Sequence, residues 1–130
     1  MLNIGLKAEH SLSVTVDNTA ASVGSGSLAV FATPALAALV EKTACILLEG
    51  KLEEGQTTVG TVINVKHIAP TPIGMTVACV CTLTEVDGRR LVFSATVSDG
   101  AGVVGEVYHE RFIIKSAPFM EKAAGRAGDK

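Results

Sequence analysis

Three side chains carry the chemistry of this chain: the hydroxyl of Thr33, the carboxylate of Glu41 and the imidazole of His67. Together they are a hydroxyl, a carboxylate and an imidazole in a chain otherwise poor in reactive groups, a combination that reads as an enzyme's. Each sits in a pattern that gives it a fixed place. Thr33 precedes Pro34 at the head of an apolar run, and Glu41 lies within that run. His67 ends the alternating stretch Val59-Gly-Thr-Val-Ile-Asn-Val-Lys-His67 and is followed by the rigid turn Pro70-Thr-Pro-Ile-Gly74.

The elements that must position them follow from periodicity. Thr33-Pro34 opens a helix, with Thr33 as its N-cap and proline at the first helical position. The helix runs to Glu49, with Gly50 as its stop. On its wheel Lys42, Glu49 and Ala38 share one narrow stripe, and apolar residues fill nearly all the rest. A helix with so little polar surface is expected to be wrapped by something. Glu41 falls outside the polar stripe, among Ala37, Ala44, Cys45 and Leu48. A buried carboxylate there needs a partner, a proton or a polar cavity, because burying it alone is costly.

Strand patterns surround the helix. Glu9 to Val16 alternates, with His10, Leu12, Val14 and Val16 on one face; Asp17 to Ser27 is a loop rich in Gly, Ser and Asn. Four more strands are expected over Thr57 to Ile68, Met75 to Val86, Arg90 to Ser98 and Val103 to Ile114, the middle two joined by a hairpin at Asp87-Gly88. If the first of these stays regular, His67 shares a face with Val59, Ile63 and Val65. One helix and five antiparallel strands imply an α+β fold, a curved sheet folded around a central helix.

Composition narrows the function. The 130 residues fit a single domain, with a core over about 9 to 115 and a tail or short helix over 116 to 130. Apolar residues make up 48%, so Val, Ala, Leu and Ile must build the core. The net charge of −2 and the lack of a basic stripe argue against a nucleic-acid partner. No run reaches membrane-spanning length and no leader pattern opens the chain, so a cytoplasmic protein is expected. Cys45, Cys79 and Cys81 fit a reducing compartment, and the last two read as small core residues rather than a metal site. No metal cluster is apparent. His10 and His109 read as structural, with His109 at most a support to the site. Arg89 and Arg90, after the hairpin turn, are candidates for holding phosphates.

The order strand, loop, helix, four strands resembles the hot-dog fold of acyl-CoA thioesterases and dehydratases. More narrowly, it is similar to the fluoroacetyl-CoA thioesterase branch. The resemblance rests on Ala32-Thr33-Pro34, on Glu41, on Val59-Gly60-Thr61, on His67 with its proline turn, and on His109-Glu-Arg-Phe112. It implies Thr33, Glu41 and His67 as the catalytic set and Gly60 as a residue lining the site. It also implies a small acyl-CoA as substrate, no cofactor beyond the coenzyme A of that substrate, and at least a homodimer with sites between subunits. Two other functions use the same groups: an enoyl-CoA hydratase or dehydratase, and a non-catalytic acyl-CoA sensing module. The fluoroacetyl branch carries aromatic residues as a lid ahead of the helix, whereas Asp17 to Ala29 here contains none. The resemblance therefore implies thioester hydrolysis without implying a fluoroacyl substrate.

Overall fold

The computed structural model describes residues 2–128. Strand β1 (Lys7–Ser13) is followed by a 3-10 turn (Val16–Asn18) and a short helix α1 (Ala20–Val23). The long helix α2 (Thr33–Leu48) comes next, then β2 (Gln56–His67), β3 (Thr76–Asp87), β4 (Arg90–Asp99), β5 (Gly102–Lys115) and a terminal helix α3 (Ser116–Gly125). The strands form one antiparallel sheet in the order β1-β3-β4-β5-β2. Helix α2 touches all five. Five strands spaced about 4.8 Å apart are wider than a helix is thick, so the sheet must curl around α2 to reach it from both edges.

The core lies between them. Val77, Cys79, Cys81 and Leu83 of β3 and Leu91, Phe93 and Val97 of β4 are fully buried, as their alternation predicts. They meet Leu36, Leu39, Val40, Ala44, Leu47 and Leu48 of α2. Burial pushes the Cys81 thiol up to about 12, so it behaves as a core residue. Gly105 of β5 marks the tightest approach: a Cβ there would lie 2.7 Å from Leu36 Cδ1. Among the described residues no helix is long and apolar enough to cross a membrane.

Three expectations are corrected. Strand β1 ends at Ser13, and Val16 turns outward at 64% exposure because the chain folds into the 3-10 turn there. The Gly/Ser-rich stretch is partly helical: Thr19 caps α1 by accepting from Ser22 N–H, and Gly24 (φ 80°) ends it. The third correction concerns β2. A bulge between Gly60 and Val62 shifts its register against β5. Val59 pairs with the outward Phe112, whereas Gly60 pairs with the buried Arg111 and His67 with the buried Gly105. The extra residue thus removes Val59 from the His67 face and puts Gly60 on it.

Candidate active site

Thr33 is not the N-cap. The cap position is Ala32, whose carbonyl accepts the first helical bond from Leu36, and no side chain caps the helix. The segment before it is pinned early: Phe31 N–H donates to Thr71 O and Ala32 N–H to Asn18 O, so the chain enters the helix one residue sooner. Thr33 sits in the first turn, exposed, with its hydroxyl free for another partner. That partner is His67: Thr33 Oγ1 and His67 Nδ1 share a 2.7 Å hydrogen bond. The edge of the buried Phe31 ring packs against the imidazole, with centroids 6.4 Å apart. Phe31 is thus floor rather than lid.

The pair opens on a cleft of about 310 Å³ lined by Ala20, Ser25, Val30, Phe31, Thr33 and His67 among others. His67 Nε2 is buried and has no hydrogen-bond partner among the described residues. Burial lowers the His67 pKa, partly offset by the nearby Ala69 backbone, so the imidazole is neutral at neutral pH. A neutral imidazole beside a hydroxyl, at the positive end of an uncapped helix, is suited to activating that hydroxyl against a carbonyl.

Glu41 is elsewhere and is not buried. Its side chain is 44% exposed, facing β2 across a gap that Gly60 leaves open. A Cβ at Gly60 would lie 2.8 Å from Glu41 Oε2, 3.3 Å from Arg111 Nη1 and 3.4 Å from His109 Cε1. Glu41 Oε2 and Arg111 Nη1 are 4.0 Å apart. Glu41 and Gly60 are therefore together, as are Thr33 and His67. Eight residues of helix, about 12 Å, separate the two pairs within one protomer.

Arg111 carries a signal that sequence reasoning missed. Gly105, Val107, His109, Arg111 and Ile113 occupy alternate positions of β5, and all are buried. The alternation alone puts a guanidinium on the core side of the sheet. His109 is also fully buried, stacked at 5.9 Å on Phe93.

The two arginines expected to hold phosphates have different surroundings. Arg90 is on the outer face, bonded through Nε to Glu110 at 3.0 Å and through Nη1 to Glu85 at 3.2 Å. Glu110 also accepts from the Tyr108 hydroxyl. Arg90 is brought neither to Thr33 nor to Glu41. Arg89 lies over the Phe112 ring at 5.3 Å and borders an open cleft with Lys115, Phe119 and Lys122.

This fold, with such a pair at its helix start, is that of the hot-dog thioesterases. The family model for the fluoroacetyl-CoA-specific thioesterase matches residues 14–117, and the chain belongs to that family. The fluoroacetyl-CoA thioesterase of Streptantibioticus cattleyicolor is 38% identical over 93 residues, spanning 72% of this chain and 67% of that one. A variant of the fluoroacetyl-CoA-specific thioesterase superposes with a TM-score of 0.91 at 30% identity, covering 97% of this chain and 98% of the other. A hot-dog-like protein from Thermanaerovibrio acidaminovorans gives the same score at 25% identity, over 99% and 96% of the two chains.

Proposed function

We propose that this protein hydrolyses short acyl-CoA thioesters, with Thr33, His67 and Glu41 as its reacting groups. The observation that carries the reading is the 2.7 Å contact between Thr33 Oγ1 and His67 Nδ1 at the head of α2, beside a cleft. His67 Nδ1 takes the Thr33 proton as Oγ1 attacks the thioester carbon. The first-turn N–H groups of α2 stabilise the oxyanion. The C–S bond then breaks, and the imidazolium returns its proton to the departing thiolate. Water activated by Glu41 cleaves the Thr33 ester, releasing the acid. No cofactor enters this sequence; coenzyme A is part of the substrate. The variant fluoroacetyl-CoA thioesterase solved in complex with acetyl-CoA, 30% identical to this chain, supports a short acyl-CoA. Arg89, with Lys115 and Lys122 nearby, is the better candidate for the phosphates, because Arg90 is already committed to carboxylates.

The 12 Å between Thr33 and Glu41 is too long for both to reach one acyl carbon, which supports a homodimer. Strand β2 is an edge of the sheet and exposes Val62 and Ile63; unpaired edges invite such pairing. Two β2 strands pair antiparallel about a two-fold at Asn64, with the bulge residues Thr61 and Val62 together opposite Lys66. Gly60 of one protomer then faces His67 of its partner, on the same side of the sheet. The Glu41 corner of one subunit completes the Thr33–His67 pair of the other. A cytoplasmic location belongs to the same reading, supported by three free thiols.

Thiol release from a panel of short, branched and aryl acyl-CoAs tests the activity. Release by the wild type and its loss in folded Thr33→Ala supports the reading. Turnover of enoyl-CoA without free thiol, or CoA binding with no turnover at all, contradicts it. Asn64→Cys in a Cys45→Ser background tests the dimer. It should form a disulfide-linked dimer on mild oxidation, because directly opposed strand positions are within disulfide reach; a monomer that resists cross-linking rules out this pairing.

A further inference from the structure

The proposed mechanism leaves the charged group nearest Glu41 without a part, the guanidinium of Arg111. Arg111 is 7% exposed, and a buried guanidinium is costly unless it is held by hydrogen bonds and faces a negative charge. Its Nε donates to Thr58 Oγ1 at 2.8 Å and its Nη2 to the Thr58 carbonyl at 3.1 Å. Nη1 lies 3.3 Å from His109 Nε2. The direction of that last bond is set at the far side of the ring. His109 Nδ1 is 2.7 Å from the carbonyl of Val62, which only accepts, so Nδ1 carries the proton and Nε2 accepts from Arg111. Two residues therefore fix the guanidinium from two sides, and Val62, at the bulge of β2, fixes one of them.

Three of the five guanidinium N–H groups are taken, and one of the two left is on Nη1. It points to the place where Gly60 lacks a side chain, and Glu41 Oε2 occupies that place, 4.0 Å from Nη1. Glu41, by contrast, projects half-exposed from the helix on a flexible chain, and among the described residues its side chain makes no hydrogen bond. A carboxylate that must activate water needs one orientation. Beside it His109, its pKa lowered chiefly by burial, carries no charge at neutral pH.

We infer that Arg111 is a positioning residue, holding the Glu41 carboxylate over Gly60, and that Thr58 and His109 serve to hold Arg111. This deepens the proposed function and rests on Glu41 being the group that activates water. The arrangement explains why β5 carries His109 and Arg111 at two inward positions where β4 carries Leu91, Phe93, Ala95 and Val97. It also explains the bulge, which turns the Val62 carbonyl towards His109 and leaves Gly60 facing Glu41.

The test is a double-mutant cycle on CoA release, with thermal melts of every variant. Arg111→Gln should lower kcat by about 10- to 100-fold, the cost of a misplaced reacting group, with KM changed less than about 3-fold; Arg111→Lys should recover part of the loss by restoring the charge. In a Glu41→Gln background, Arg111→Gln should cost nothing further, because the group it positions is gone. A folded Arg111→Gln with wild-type kcat overturns the inference, and so does an equal loss in both backgrounds, which marks a merely structural arginine. If Arg111→Gln does not fold, Thr58→Val removes one anchor of the guanidinium without changing side-chain volume. In the same cycle, a loss confined to the Glu41 background supports the inference, and no loss or an equal loss overturns it. Full activity in Glu41→Gln, by contrast, removes the reading of Glu41 itself.

Discussion

Replacing Gly60 with alanine separates the site from the fold in one step. The added Cβ would lie 2.8 Å from Glu41 Oε2, where ordinary contact begins near 3.4 Å. The carboxylate must retreat by at least about 0.6 Å or swing aside. Retreat is easy, since Oε2 is the end of a flexible side chain that is 44% exposed. The strand itself gains, because alanine in place of glycine reduces the freedom of the unfolded chain by about 0.5–1 kcal/mol. The same Cβ would lie 3.3 Å from Nη1 of the buried Arg111, a tight contact that offsets this gain, so stability should stay close to wild type. Activity should not survive as well. A reacting group displaced by such a distance costs about 10- to 100-fold in rate, or about 1.4–2.7 kcal/mol of transition-state stabilisation. The assay is steady-state CoA release on a short acyl-CoA, beside thermal melts of the same preparations. A fall in kcat with a melting temperature close to wild type is expected. A folded Gly60→Ala enzyme at full kcat would refute the reasoning, since Glu41 would then work from a position that the alanine leaves intact.

Further predictions use the same contrasts. Gly105→Ala makes a similar clash, 2.7 Å from Leu36 Cδ1, but the neighbour is fully buried and cannot move aside; overpacking should cost about 1–3 kcal/mol in a urea titration. His67 and His109 both have pKa values lowered chiefly by burial. The unfolded chain then binds protons that the folded one does not, so their contribution to stability is present above about pH 6.5 and declines as pH falls below it. Urea midpoints across pH 5 to 8 check that sign, and thiol release should persist at pH 6.5 and fall only below it, as His67 loses its neutral form. Arg89→Ala should raise KM for an acyl-CoA and leave kcat near wild type. Arg90→Ala should leave both unchanged, because its partners are Glu110 and Glu85 on the outer face.

The helix and the strands were legible because their patterns repeat over many residues. The apolar run after Pro34, the alternation of Val77 to Leu83 and the Asp87-Gly88 turn each fix an element from local spacing, and the structure bears them out. The site was legible only as residue types. That Thr33 meets His67 depends on where the helix begins, and the pinning of Phe31 and Ala32 by Thr71 and Asn18 decides that from outside the helix. The apolar wheel made Glu41 look buried, but that side of α2 faces the short gap beside β2 and remains half open in one protomer. The bulge at Gly60 was invisible because Val59 to His67 alternates evenly, and only pairing with β5 shows the extra residue. Arg111 entered the sequence reading within His109-Glu-Arg-Phe112, with no role attached. Its parity with Val107 and Ile113 was the available clue, and burial of a charge on that face is the kind of local conflict that marks a working site.

One measurement bears most directly on the proposed chemistry: steady-state CoA release from a short acyl-CoA by the wild type, Thr33→Ala and Glu41→Ala, each shown folded by its melt. Release by the wild type, reduced by orders of magnitude in both variants, is the predicted result. Undiminished release in either folded variant would contradict it, because the hydroxyl or the carboxylate on which the chemistry was built would then be idle.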